Sequence, residues 1–167
     1  MKKIFLLLVV VFSFSGCEKD DICDASTSTT PRLVIQFYES ASPTLTLKSV
    51  TALGVAAPGF TTGMSFSGSK IMIPLKIDAN TTTYRFIQNG ADSDPTNDNE
   101  DILTFNYTSK KIYVSRACGY KMLFDLDATN PIIQSEPAVP DGAWIKNIIV
   151  VKPNLETENE VHVQIYF

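Results

Sequence analysis

Tyr120-Lys121-Met122-Leu123-Phe124-Asp125-Leu126-Asp127 decides the fold class. Tyr120, Met122, Phe124 and Leu126 fall on one side of an extended chain, and Lys121, Asp125 and Asp127 fall on the other. A period of two is the mark of a strand with one face in a core and one in water. The same alternation recurs on both sides of this stretch. Leu33, Ile35 and Phe37 share a face in 32–38; Ile71, Ile73, Leu75 and Ile77 share one in 70–77. Leu103, Phe105 and Tyr107 do so in 102–108, and Val161, Val163, Ile165 and Phe167 in 160–167. Weaker strand patterns cover 45–53, 82–87, 111–115 and 144–151, the last nearly all apolar and so expected to be central and covered on both faces.

Turn chemistry separates these runs at Pro58-Gly59, Asn89-Gly90, Ser109-Lys110, Cys118-Gly119, Asn130-Pro131 and Pro140-Asp141-Gly142. Pro74 cannot donate to a ladder, so the strand that holds it is expected at an edge or with a bulge. No segment carries a helical stripe. About eight to nine short strands at this spacing predict an all-β domain, an antiparallel, immunoglobulin-like β-sandwich over residues 32–167. A membrane barrel would need strands of about nine to eleven residues, and most runs here are shorter.

The amino terminus reads as an address. Lys2 and Lys3 precede eleven residues of apolar chain from Ile4 to Phe14, then Ser15, Gly16 and Cys17. That run is too short for a transmembrane helix, which needs about twenty residues, and right for a signal-peptide core. Phe14-Ser15-Gly16-Cys17 resembles the lipobox of bacterial lipoproteins, with Phe14 where a smaller aliphatic residue is usual. Residues 1–16 are therefore expected to be removed, and Cys17 to carry palmitate-type acyl chains that anchor the chain in a membrane. Residues 17–31, rich in Asp, Ser and Thr, read as a flexible tether. Lys19-Asp20-Asp21 resembles the signal that sends Bacteroidota lipoproteins to the cell surface, and is otherwise a solvated charged run. Outer-membrane residence, and surface display with it, are the expectation.

The remaining 151 residues make one ordinary domain. The chain carries a formal charge of −4, and −6 once Lys2 and Lys3 leave with the signal. Such a domain has no footprint for nucleic acid, and no cluster of Lys or Arg in the sequence suggests anionic lipid. The expected membrane contact is the anchor alone. With Cys17 acylated, Cys23 and Cys118 are an even pair in an oxidising compartment, which reads as a disulfide over two free thiols. Closing a 95-residue loop would stabilise by roughly 4–5 kcal/mol at most.

Residues that could do chemistry are few. The single histidine, His162, is expected on the polar face of the last strand with Glu160, Gln164 and Tyr166, as a surface residue. Asp92, Asp94 and Asp98 in the acidic stretch 92–101 are the one weak calcium candidate; the stretch lacks the glycine of an EF-hand loop and reads first as a solvated turn. Asp125, Asp127 and Glu136 could in principle hide a carboxylate pair. Trp144, Tyr84, Tyr113 and Tyr120 could form a glycan platform, although aromatic residues in strands are usually core. No catalytic residue and no cofactor are expected. The reading is a non-enzymatic interaction module with an outer-membrane protein partner, or, alternatively, a binder of glycan or small solutes.

Taken together, the lipobox, the Cys17-to-Cys23 spacing, Thr30-Pro31, Ile73-Pro74-Leu75, Cys118-Gly119 and Val161-His162-Val163 resemble an uncharacterised family of Bacteroidota lipoproteins, a domain of unknown function. The resemblance covers nearly the whole mature chain. It implies the envelope location and the Cys23–Cys118 pair, and brings no activity with it.

Overall fold

A computed structural model of the chain describes residues 22–40, 44–57 and 63–167. Among them every regular element is a strand. In chain order these are β1 (Leu33–Tyr38), β2 (Val50–Ala56), β3 (Met64–Gly68), β4 (Lys70–Ile73), β5 (Thr81–Gln88), β6 (Asn99–Ser115), β7 (Gly119–Leu126), β8 (Ile132–Ser135), β9 (Asn147–Val150), β10 (Asn154–Leu155) and β11 (Val163–Tyr166). A four-stranded sheet runs β4-β1-β11-β9, and a seven-stranded sheet runs β10-β7-β6-β5-β2-β3 with β8 also on β6. Neither closes on itself. One apolar cluster draws on both sheets: Leu33, Ile35 and Phe37 of β1 and Val163 and Ile165 of β11 from one, Phe86, Leu103, Phe105 and Phe124 from the other. Most of the alternating residues read from the sequence thus supply the core, and the all-β class holds; Tyr120, expected on the same face as Phe124 and Leu126, is instead 59% exposed, because it lies at the hairpin turn beyond the core.

The eleven strands exceed the expected eight to nine, and one pairing departs from the antiparallel expectation. β1 and β11 run parallel, Ile35 opposite Val163 and Tyr38 opposite Tyr166. A parallel pair needs a long crossover, and here nearly the whole domain lies between its two strands. β1 is covered on both faces, with Val34 as fully buried as Leu33 and Ile35.

Pro74 ends β4 at Ile73, and β4 is an edge strand, as a residue without an N–H requires. Leu75 still reaches the core, but Ile77 is 60% exposed, against the expected shared face. Two further strand expectations are corrected. Residues 144–151 do not form a central strand: only Asn147–Val150 is extended, and β9 is an edge. Nor do 102–108 and 111–115 form two strands about a Ser109-Lys110 turn. They belong to the single 17-residue β6, because β7 pairs continuously from Tyr107↔Leu126 to Tyr113↔Tyr120 and leaves no room for a turn. The chain reverses instead at 116–118, where Gly119 takes a φ of 69° that an L side chain rarely adopts.

Candidate functional site

The β6–β7 hairpin stands out from the sheet. β5 accompanies β6 only as far as Thr81↔Asn106, and beyond that β6 pairs with β7 alone. β10 still flanks β7 at Asp125 and Phe124, opposite Thr108 and Ser109, so the part of the arm that no other strand flanks runs from Lys110 to Ser115, roughly 16 Å. Tyr113 and Tyr120 face each other across the ladder, both 59% exposed, with ring centroids 5.3 Å apart in an edge-to-face arrangement. The Lys111 ammonium lies over the Tyr120 ring at 4.4 Å from its centroid.

At this tip Cys118 is joined to Cys23. Residues 23–30 consequently lie along the hairpin: the Met122 N–H donates to Thr30 Oγ1 and Lys121 Nζ donates to Ser28 Oγ. Ile22, 73% exposed, and Asp24 join Tyr113, Arg116 and Cys118 around a shallow groove of about 470 Å³. Asp24 accepts hydrogen bonds from the Ser26 N–H and hydroxyl, which hold its carboxyl below the usual carboxylate range.

Register also folds the cations of this stretch back on one another. Ile112 pairs with Lys121 and Lys111 with Met122, so Lys110, Lys111, Arg116 and Lys121 gather on one arm. Residues 102–124 contain these four cations and no acid, in a chain of net charge −4. None of the four joins an ion pair among the described residues. All four fall within the twelve residues from Lys110 to Lys121, so this local run of cations stands in the sequence itself.

Cys17, Lys19, Asp20 and Asp21 lie outside the described residues. The acidic stretch folds as a loop held by its own donors. Asp92 Oδ1 accepts from the Asp94 N–H, Asp92 Oδ2 from Asn97 Nδ2, and Asp94 Oδ1 from the Thr96 N–H and hydroxyl. Slight desolvation, then the neighbouring charges of Asp92 and Asp94, push the carboxyl of the exposed Asp98 up. Among the described residues no group of three or more His, Cys, Asp or Glu is placed to hold a metal ion.

His162 is not the surface residue expected. It is 1% exposed, its Nδ1 accepts the Val34 N–H at 3.0 Å, and its own N–H donates to the Val34 carbonyl. Burial lowers its basicity, and a proton on Nδ1 would oppose the Val34 donor. It is a structural clamp between the last strand and the first. The four aromatic residues considered for a glycan platform do not come together as one surface: Trp144 is buried, with its indole N–H on the Phe86 carbonyl, and Tyr84 is half-buried, its hydroxyl donating to the Pro74 carbonyl.

Asp101 was not singled out in the sequence, lying at the end of a run that read as solvated. It is fully buried. Its Oδ2 accepts the Trp144 and Ile145 N–H groups at 2.9 and 2.8 Å, and its Oδ1 accepts Gln134 Nε2 at 2.9 Å. The one sequence cue was its place in phase with Leu103 and Phe105.

Residues 49–167 match the model of DUF6452, a family of unknown function. Cys118, His162, Asp101 and the whole β6–β7 hairpin fall inside the matched residues; β1, Cys23 and the amino-terminal address fall outside. Neither among curated proteins nor among solved structures is there a significant match. Since that match spans well over half of its length, the chain belongs to the DUF6452 family.

Proposed function

We propose that the chain is a lipoprotein of the bacterial cell envelope, anchored through acyl chains on Cys17 in the outer membrane and displayed at its surface, where a domain of immunoglobulin-like β-sandwich type binds another envelope protein without catalysing a reaction. The observation that carries the reading is the Cys23–Cys118 disulfide, six residues beyond Cys17. A disulfide belongs to an oxidising compartment, the same one implied by the apolar leader and the Ser15-Gly16-Cys17 junction. Support for a binding rather than catalytic role comes from how the reactive groups are used. His162 Nδ1 and Asp101 Oδ2 each accept backbone N–H groups of neighbouring segments, and Asp101 Oδ1 accepts the Gln134 side-chain amide.

Cross-linking in intact cells, followed by capture of the acylated protein from mildly solubilised envelopes, tests the interaction. A stoichiometric envelope protein is expected; recovery of the protein alone after efficient cross-linking contradicts it.

The exposed Tyr113–Tyr120 pair favours a second reading, binding of glycan or a small solute. That reading calls for a free, flat ring face, whereas Lys111 already covers one face of Tyr120 and the rings are inclined by 68°. A thermal-shift screen with envelope sugars separates the two: a dose-dependent rise in Tm supports the solute reading, and a flat response removes it.

A further inference from the structure

We infer that the tip of the β6–β7 hairpin is a second membrane contact, resting on the anionic headgroup phosphates of the same membrane that holds the acyl chains; the inference rests on the anchored reading of Cys17. Three observations converge on it. The first is reach. Six residues from Cys17 to Cys23 extend at most roughly 20 Å, and the disulfide fixes Cys23 to Cys118 at the turn of the hairpin. An anchor at Cys17 therefore holds this end of the domain, and no other, against the bilayer. The opposite end of β6, at Asn99, lies roughly 50 Å away along the strand.

The second is charge. Lys110, Lys111, Arg116 and Lys121 sit on the arm that the disulfide brings down, with no acid between residues 102 and 124. Elsewhere acids outnumber bases, as they must for a net charge of −4. Basic residues close to a membrane are drawn to lipid phosphates, and the attraction fades within a Debye length. The third is surface chemistry. Tyr113 and Tyr120 are exposed on the face of the arm that carries Lys111, whose ammonium lies over the Tyr120 ring, and Arg116 and Ile22 line the groove beside Tyr113. Tyrosine has an apolar ring and a polar end, and it concentrates at membrane–water interfaces for that reason. A solvated hairpin needs neither the exposed ring pair nor the segregation of charge.

Asp24 lines the groove at the tip, and Glu18, Asp20 and Asp21 precede Cys23 in the sequence. Pairing of the hairpin with its own tether is the competing arrangement, and it predicts no dependence on lipid charge.

Lysine acylation footprinting on vesicles distinguishes them. Protein isolated with its native amino terminus is reconstituted into vesicles of neutral phosphatidylcholine, or of the same lipid with a third phosphatidylglycerol. Lys110, Lys111 and Lys121 report on the tip. Lys146, which lines a cleft with Asn99 at the far end of β6, is the internal reference. On anionic vesicles the tip lysines are expected to react at least roughly threefold more slowly relative to Lys146 than on neutral ones, and 1 M NaCl should abolish the difference. Equal reactivity on the two vesicle types overturns the contact, as does protection that is the same on both.

A second form of the mature chain, with Cys17 replaced by a hexahistidine tag and held on nickel-chelating lipid, presents the hairpin to the bilayer whatever the native modification is. Charge-dependent protection in this form upholds the hairpin contact even if the native terminus proves unacylated; its absence there removes the contact even if acylation is found. In the tagged form, Lys110→Glu together with Arg116→Glu is expected to make Lys111 and Lys121 as reactive on anionic as on neutral vesicles. Persistent protection in that variant contradicts the proposal.

Discussion

Asp101 is a fully buried carboxylate that ties β6 to two other segments. A buried carboxylate is tolerated only when its oxygens are fully used, and here three donors from two segments converge on it. Through them β6 holds β8 and the segment that leads into β9. Replacing it strands two buried N–H groups at once, each costing more than an ordinary lost bond. Asp101→Ala is expected to lower stability by about 3 kcal/mol in denaturant titration, with loss of exchange protection at the Trp144 and Ile145 amides. Arg32 and Glu158 make the complementary case at the surface. The guanidinium forks onto the carboxylate at 2.7–2.8 Å and holds it down at about 2, below its ordinary 4.5. A depressed acid stabilises the fold above its unfolded pKa and ceases to do so as the pH falls through the folded one. Because Arg32 is half exposed, solvent screens most of that shift. Glu158→Gln is expected to cost about 1 kcal/mol at pH 7, a difference that shrinks from pH 4.5 downward and vanishes near pH 2. A constant difference across that range contradicts the assignment. Residues of this kind are hard to find in a sequence. Asp101 and His162 are polar letters whose partners, such as Val34 at 128 residues' distance, are set only by tertiary packing.

Among the elements, the β6–β7 hairpin shows both what alternation reveals and what it conceals. Alternation assigns Tyr107, Tyr120, Met122, Phe124 and Leu126 to a buried face, and Tyr107, Phe124 and Leu126 are buried, whereas Met122 is only partly so and Tyr120 is exposed at the turn. The continuity of β6 through Ser109-Lys110 was hidden, because strand length depends on a partner's register and not on local propensity alone. The same holds for the basic arm: Lys110 and Lys121 become neighbours only when the chain reverses at Gly119. The disulfide at the turn ties this arm to residues 22–30 and constrains 95 residues of unfolded chain. Cys118→Ser is expected to lower stability by about 3–4 kcal/mol, or Tm by roughly 10 °C, and to free the Met122 amide from its bond to Thr30. A reductant should reproduce the loss in the parent chain and have no further effect on the variant. Retention of Met122 protection after reduction would mean that the tether is held by its hydrogen bonds alone.

On the scale of the whole molecule, the first and last strands close the fold on each other. β1 and β11 are parallel neighbours, clamped by His162 onto Val34, so the four-stranded sheet cannot be completed until the last residues are in place. The class was legible because the core is built from alternating residues, Leu33, Ile35 and Phe37 meeting Val163 and Ile165. The parallel closure was not, since periodicity carries no information about strand direction. At this scale the proposed anchor at Cys17 and the position of the disulfide combine in one proposal: the domain hangs by its hairpin end from the membrane. The most direct measurement is the intact mass of the protein isolated from its native membrane, with fragmentation of the amino terminus. The account requires a chain that starts at Cys17 and carries covalent fatty acyl groups; a terminus that retains residues 1–16, or an unmodified Cys17, contradicts it.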